Sequence, residues 1–138
     1  MKVNTYINFA GTCAEAFRYY EKHLGAKLGM MMTQDAVPDP TQTNPDWKDK
    51  VLHARFTIGG TELMAADIPN AEPMRSAYIT LRLESDKEAE RVYADLSDAG
   101  QMLTPIQETF FASRFGQVRD RFGINWMILC ERPLPPRT

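Results

Sequence analysis

His53 is the only histidine in this chain that falls in a strand-like run, Leu52-His53-Ala54-Arg55-Phe56. An imidazole titrates near neutrality, so it can act as a general base or as a donor to an oxyanion. It can equally sit half-buried against a neighbouring acceptor. Glu108, in Gln107-Glu108-Thr109-Phe110-Phe111, is the second candidate. A carboxyl beside aromatic rings can have its pKa raised and shuttle a proton. It can also cap the turn or pair with Arg114. His53 and Glu108 are thus the candidate catalytic residues. His23 ends a helical run, where its charged form complements the helix dipole. Asp67 and Asp120 end strands beside turns and suit hydrogen bonding to turn N–H groups.

The inventory also excludes chemistry. Cys13 and Cys130 are the only cysteines and form no CxxC, which argues against a zinc knuckle or a disulfide scaffold and suits a reducing compartment. Gly59-Gly60 reads as a hairpin turn and lacks the spacing of a phosphate-binding loop. Sixteen basic against eighteen acidic residues leave a net charge of −2, without the basic excess that nucleic acid requires. No apolar run approaches the ~18 residues of a membrane span, and the polar start MKVNTYINFAG is no signal peptide. A cytoplasmic protein is expected, with no nucleic-acid and no membrane partner.

The elements that must position these residues are written twice. Thr12-Cys13-Ala14-Glu15 is a capping box, followed by an apolar stripe at Cys13, Phe17, Tyr20 and Leu24 and a closing Gly25. Ser85-Asp86-Lys87-Glu88 repeats it, with Ala89, Val92, Tyr93 and Leu96 on the stripe and Gly100 at the end. A strand-like run precedes each helix, Tyr6 to Phe9 and Tyr78 to Leu83. Further strands are expected at 27–33 and 102–107. A strand, a Gly-containing turn and a second strand close each half, over 55–64 and 118–127. Each half therefore reads β-α-β-β-β. The 138 residues are read as one α+β domain of two modules, 1–68 and 76–131, with linker 69–75 and an irregular tail 132–138. A polar loop, 35–48, sets the halves out of step and could be a lid or a plain insertion.

A four-stranded sheet with one helix covers one of its faces. Two such modules can turn their open faces to a shared cavity that takes a small molecule. Alternation puts Ile7, Phe9, Ile79, Leu81 and Leu83 under the helices. Tyr6, Asn8, Tyr78, Thr80 and Arg82 then look into the cavity. Tyr6, Asn8, Met64 and Tyr78, together with Phe111, Arg114, Trp126 and Met127, are the expected ligand-pocket residues. The run Met30-Met31-Met32 reads as a strand buried on both faces, partly at a subunit interface.

The βαβββ duplication resembles the vicinal oxygen chelate superfamily of glyoxalases, bleomycin-resistance proteins and extradiol dioxygenases. The segments Tyr6-Ile7-Asn8-Phe9-Ala10-Gly11-Thr12-Cys13-Ala14-Glu15-Ala16, His53-Ala54-Arg55-Phe56-Thr57-Ile58-Gly59-Gly60 and Phe115-Gly116-Gln117-Val118-Arg119-Asp120-Arg121-Phe122-Gly123-Ile124-Asn125-Trp126-Met127-Ile128 are similar to its PhnB-like branch. The resemblance implies the glyoxalase/bleomycin-resistance fold, tandem modules forming a curved mixed sheet around a cup, and a homodimer. It also implies a divalent metal held by His, Gln or Glu at four positions. Here those positions carry Thr5 or Tyr6, Met64, a residue near Tyr78, and Met127. Thioethers and neutral hydroxyls are poor ligands for hard cations, so no metal and no other cofactor is expected. A two-residue shift would reach Glu62 and Asn125, a weak pair. Relatives in this branch are also likened to demethylubiquinone methyltransferases, but no glycine-rich βαβ unit for an adenosyl cofactor is present. The reading is a small-molecule-binding member of undefined activity. The alternatives are a metal-dependent lyase or dioxygenase with a displaced site at His53 or Glu108, and a role in phosphonate metabolism.

Overall fold

The computed structural model describes residues 1–38 and 45–133. The chain divides into two compact units, Met1–Glu72 and Pro73–Thr138, with the division inside the expected linker 69–75. The middle of the expected polar loop, 39–44, and the end of the expected tail, 134–138, lie outside the described residues.

The first unit runs β1 (Thr5–Phe9), α1 (Cys13–Leu24), β2 (Lys27–Thr33), β3 (Val51–Ile58) and β4 (Thr61–Asp67). Its sheet has the order β1-β4-β3-β2. β1 lies parallel to β4, and the other pairs are antiparallel. The second unit repeats this as β5 (Ile79–Arg82), α2 (Asp86–Ser97), β6 (Gln101–Gln107), β7 (Ala112–Arg119) and β8 (Asn125–Glu131). Its order is β5-β8-β7-β6, again with only the outer β5–β8 pair parallel. The fold is α+β and each unit is the expected βαβββ module.

In each unit the apolar stripe of the helix covers one sheet face. Phe17 and Tyr20 of α1 pack on Phe56 of β3, with ring centroids 5.6 and 6.4 Å apart. In α2 the buried residues are Ala89, Val92, Tyr93 and Leu96. Tyr93 lies so close to β7 that a Cβ on Gly116 would stand 2.8 Å from its ring. The phenol is anchored by a 2.9 Å bond to the Thr104 carbonyl, so the ring has no room to yield. Ile7 and Phe9 are buried under α1, whose buried stripe is Cys13, Ala16, Phe17 and Tyr20, while Leu24 is only half-buried.

The helix ends differ from one another. Ser85 caps α2 as expected, its Oγ accepting from Glu88 N–H at 3.1 Å. Thr12 makes no side-chain cap bond. Asp67, at the end of β4, takes over instead, with Oδ1 accepting from Gly11 N–H at 3.0 Å and from Cys13 N–H at 2.9 Å. A charged acceptor at a helix start outcompetes a hydroxyl. Gly25 closes α1 in the left-handed region, φ 69°. At α2 that region is occupied by Ala99, φ 59°, and not by Gly100. Gly100 is needed for another reason: a Cβ there would stand 2.4 Å from the Arg119 carbonyl oxygen.

The turns between the last strands also differ. Gly59 and Gly60, φ 56° and 84°, make a two-residue hairpin turn with both residues left-handed. The β7–β8 connection is longer, spanning 120–124, and is wrapped around the Asp120 carboxylate. β2 is an edge strand with Leu28 and Met32 exposed, so within this chain the methionine run is not buried on both faces. Leu52 is skipped between the pairs Met32–His53 and Thr33–Val51, a bulge that breaks the expected alternation at the start of β3.

Candidate functional site

Strand register decides which side chains share a face. In the first unit Tyr6 pairs with Met64, and Met64 with Arg55. Met30 pairs with Arg55, and Met32 with His53. Period-two alternation then places Tyr6, Asn8, Met64, His53, Arg55 and Met32 together on the face away from α1. Tyr6 is 46% exposed and Met32 39%, so this face is uncovered. Ala66, two residues past Met64, contributes only a methyl group. The Tyr6 side chain extends from β1 over β4 and meets His53 on β3, with Oη 3.2 Å from Nδ1 and ring centroids 5.8 Å apart in a stacked arrangement. Burial, and secondarily the nearby Cys13 thiol, push the Tyr6 phenol above its ordinary value. At neutral pH it is therefore a protonated phenol that can donate to an imidazole. Among the described residues the second ring nitrogen of His53 has no partner, and Arg55 is exposed and forms no ion pair.

The second unit presents a different face. Thr80 pairs with Met127, and Gln117 with Met127. Thr104 Oγ1 donates to Gln117 Oε1 at 2.7 Å. Arg82 is tied to Glu131 at 3.2 Å. Arg119 Nε donates to Asn125 Oδ1 at 2.9 Å, and the Asn125 amide donates to the Met74 and Ala77 carbonyls. This face is self-satisfied where the first is open.

The structure places four of the expected site residues away from this face or outside its strands. Trp126 is fully buried on the α2 side, its indole N–H donating to Asp120 Oδ2 at 2.8 Å, and is a core residue rather than a pocket wall. Arg114 also lies on the α2 side, with Nε 2.8 Å from Glu90 and Nη1 3.5 Å from Asp86. Glu108 is exposed and pairs with Arg132 at 2.7 Å, not with Arg114. The hydrogen bond and charge of Arg132 hold its carboxyl below the usual range, the opposite of the raised value expected beside aromatics. Tyr78 precedes β5, and the residue that matches Tyr6 in register is Thr80. Phe111 is half-buried between Phe110 and Phe115 in edge-to-face contacts. The geometry brings together Tyr6, Asn8, His53 and Met64, and adds Arg55 and Met32. Their signal was the same period-two alternation that marked Tyr6.

The donor set does not suit a hard divalent cation. The four register-equivalent positions are now Tyr6, Met64, Thr80 and Met127, none of them a carboxylate or imidazole. Asn125 is fully buried, with Oδ1 accepting from Arg119 and its amide nitrogen donating to the Met74 and Ala77 carbonyls, so these bonds hold its amide in place. Among the described residues no group of three or more His, Cys, Asp or Glu could hold a metal ion.

Cys13 sits behind the face at the start of α1. Burial first, and then the Asp67 charge, push its thiol up to about 12 from 9.0. The contribution to stability is full below the thiol's ordinary value and is lost as pH rises toward 12. Iodoacetamide at neutral pH should therefore leave native Cys13 unmodified while labelling it in urea, as read by peptide mass spectrometry. Rapid labelling of the native protein would contradict a buried neutral thiol.

Duplicated βαβββ units with a mixed sheet and one open face define a class. Residues 2–128 match the Glyoxalase/Bleomycin resistance protein/Dioxygenase superfamily, and the chain belongs to that family. It is 33% identical to Protein YjdN of Escherichia coli K12, over 98% of this chain and 99% of the relative. Protein PA1353 from Pseudomonas aeruginosa is 38% identical in its crystal structure, with a TM-score of 0.83 over 96% of this chain and 99% of that one. The PhnB protein of Bacillus cereus shares the fold at 23% identity, with a TM-score of 0.79 over 94% of this chain and 99% of that one. No helix among the described residues is long and apolar enough to cross a membrane.

Proposed function

We propose that this protein binds a small organic molecule on the open face of its first sheet, without the divalent metal that its superfamily resemblance implies. The observation that carries this reading is the uncovered group of Tyr6, His53, Met64 and Met32. It pairs a hydrogen-bonding imidazole with aromatic and thioether surface, the mix of a small-molecule site. Thioethers adapt to ligand shape and do not hold hard cations. His53 is the polar anchor, and Tyr6 sets its orientation. In this reading the protein is a cytoplasmic homodimer, which the free, buried Cys13 and Cys130 support as to compartment.

Native mass spectrometry of the purified protein, with elemental analysis of the same sample, tests this. The expected result is a dimer without stoichiometric metal that retains or takes up an organic ligand, and His53→Ala lowers its occupancy about tenfold, the weight of one charge-assisted or buried hydrogen bond. One divalent metal per chain would overturn the metal-independent reading in favour of a displaced metal site. A monomer would remove the dimer.

A further inference from the structure

We propose that the ligand of this face is an organic carboxylate, held by Arg55 and His53 with its apolar body on Tyr6, Met64 and Met32. The inference rests on the small-molecule reading above and names the chemistry of the ligand.

Most arginines of the second unit are already engaged. Arg82 is paired with Glu131, Arg114 with Glu90 and Asp86, and Arg132 with Glu108. Arg119 and Arg121 donate to Asn125 and Asp98. Arg55, like Arg18 on α1 and Arg75 in the linker, forms no ion pair among the described residues, and of these three it is the one that stands on the open face. A guanidinium presents two parallel N–H groups that match a carboxylate. Two residues along the same strand, about 7 Å away, the His53 imidazole offers a second donor. Nδ1 is engaged by the Tyr6 hydroxyl, and Nε2, which has no partner among the described residues, is the ring nitrogen that faces a ligand and donates to a carboxylate when it carries the proton. Arg55 and His53 thus offer one carboxylate two donors from the same face of one strand.

The remaining surface fits the rest of such a ligand. Met64 lies between Tyr6 and Arg55 in register, and Met32 is opposite His53. These provide an apolar floor beside the two donors. Further along the face Lys27 and Glu62 both pair with Thr57, one cation and one anion. Across His53, Arg55, Lys27 and Glu62 the balance favours an anion.

Titration of ¹⁵N-labelled protein with benzoate, and separately with benzyl alcohol, followed by NMR, tests this. Benzoate is expected to shift amides of β1, β3 and β4 around Tyr6, His53 and Met64, and to bind about tenfold more tightly than the alcohol. Arg55→Gln should weaken benzoate about tenfold and leave benzyl alcohol unchanged. Arg55 is exposed, so the variant folds, which the unshifted amides of the second unit will show. Equal affinity for the two probes, or no effect of Arg55→Gln, would overturn the carboxylate assignment and leave the small-molecule reading standing. If neither probe moves these amides, that reading falls as well. Shifts that follow protein concentration instead of probe would place a second copy of the chain on the face and overturn the proposal.

Discussion

Asp67→Ala should unfold this protein more readily than any change on its open face, with a loss of about 3–5 kcal/mol in urea titrations. Asp67 is 4% exposed and ends β4. Its Oδ1 accepts from Gly11 and Cys13, and its Oδ2 accepts from Val51 N–H at 2.9 Å. One carboxylate thus joins the end of β4 to the start of α1 and the start of β3. Alanine would orphan three N–H groups. Those of Cys13 and Val51 belong to residues 1% exposed, where water cannot replace the lost acceptor. Asp67→Asn keeps one oxygen acceptor and should cost roughly half as much. Hydrogen exchange would localise the effect at the amides of Cys13 and Val51. A loss within about 1 kcal/mol for Asp67→Ala would mean that these N–H groups find other partners. Domains of this size have only about 5–15 kcal/mol in hand, so the variant should be close to unfolding at body temperature.

That residue also shows where sequence reasoning stops. The Ser85 cap was legible because hydroxyl, helix and first-turn N–H groups lie within four residues. The same motif at Thr12 failed because its competitor, Asp67, is 54 residues from Cys13 along the chain, and only the parallel β1–β4 pairing brings it to the helix. The βαβββ repeat was legible from local periodicity, and both helices and seven of the eight strands fall where it put them, with ends moved by a few residues, whereas β7 starts at Ala112 instead of 118 and 120–122 is turn instead of strand. Tyr6, Asn8 and Met64 followed from alternation in strands covered on one side by a helix. Trp126 and Met127 could not both line one face, since adjacent strand residues point to opposite sides, and alternation alone would have sent Trp126 to the core. Arg114 escaped because the expected strand began at 118, so no alternation reached it, whereas β7 begins at Ala112 with a register slip between Ala112 and Arg114. Glu108 was misjudged because its partner, Arg132, lies beyond the last strand, in a tail that sequence patterning left without structure.

Trp126→Ala is expected to cost about 3–5 kcal/mol, the range for truncating a large buried aromatic. The indole is fully buried and fills the α2 side of the second sheet, opposite Val118 and beside Ile79 in register. It also closes the polar centre of the β7–β8 turn. Asp120 Oδ1 accepts from Phe122 N–H at 2.8 Å and Ile124 N–H at 3.1 Å, while Oδ2 accepts from the indole. Trp126→Ala therefore leaves both a cavity and a buried carboxylate that has lost the indole donor. Trp126→Phe separates the two terms, since it restores most of the volume and none of the hydrogen bond. It should recover over half of the loss, and the remainder, about 1–2 kcal/mol, measures the indole–carboxylate bond. Benzoate affinity on the first unit's face should be unchanged in Trp126→Phe, because no pocket role is left to this residue once its ring packs under α2. A Trp126→Phe variant with wild-type stability but weakened ligand binding would return the tryptophan to the site and contradict its place in the core.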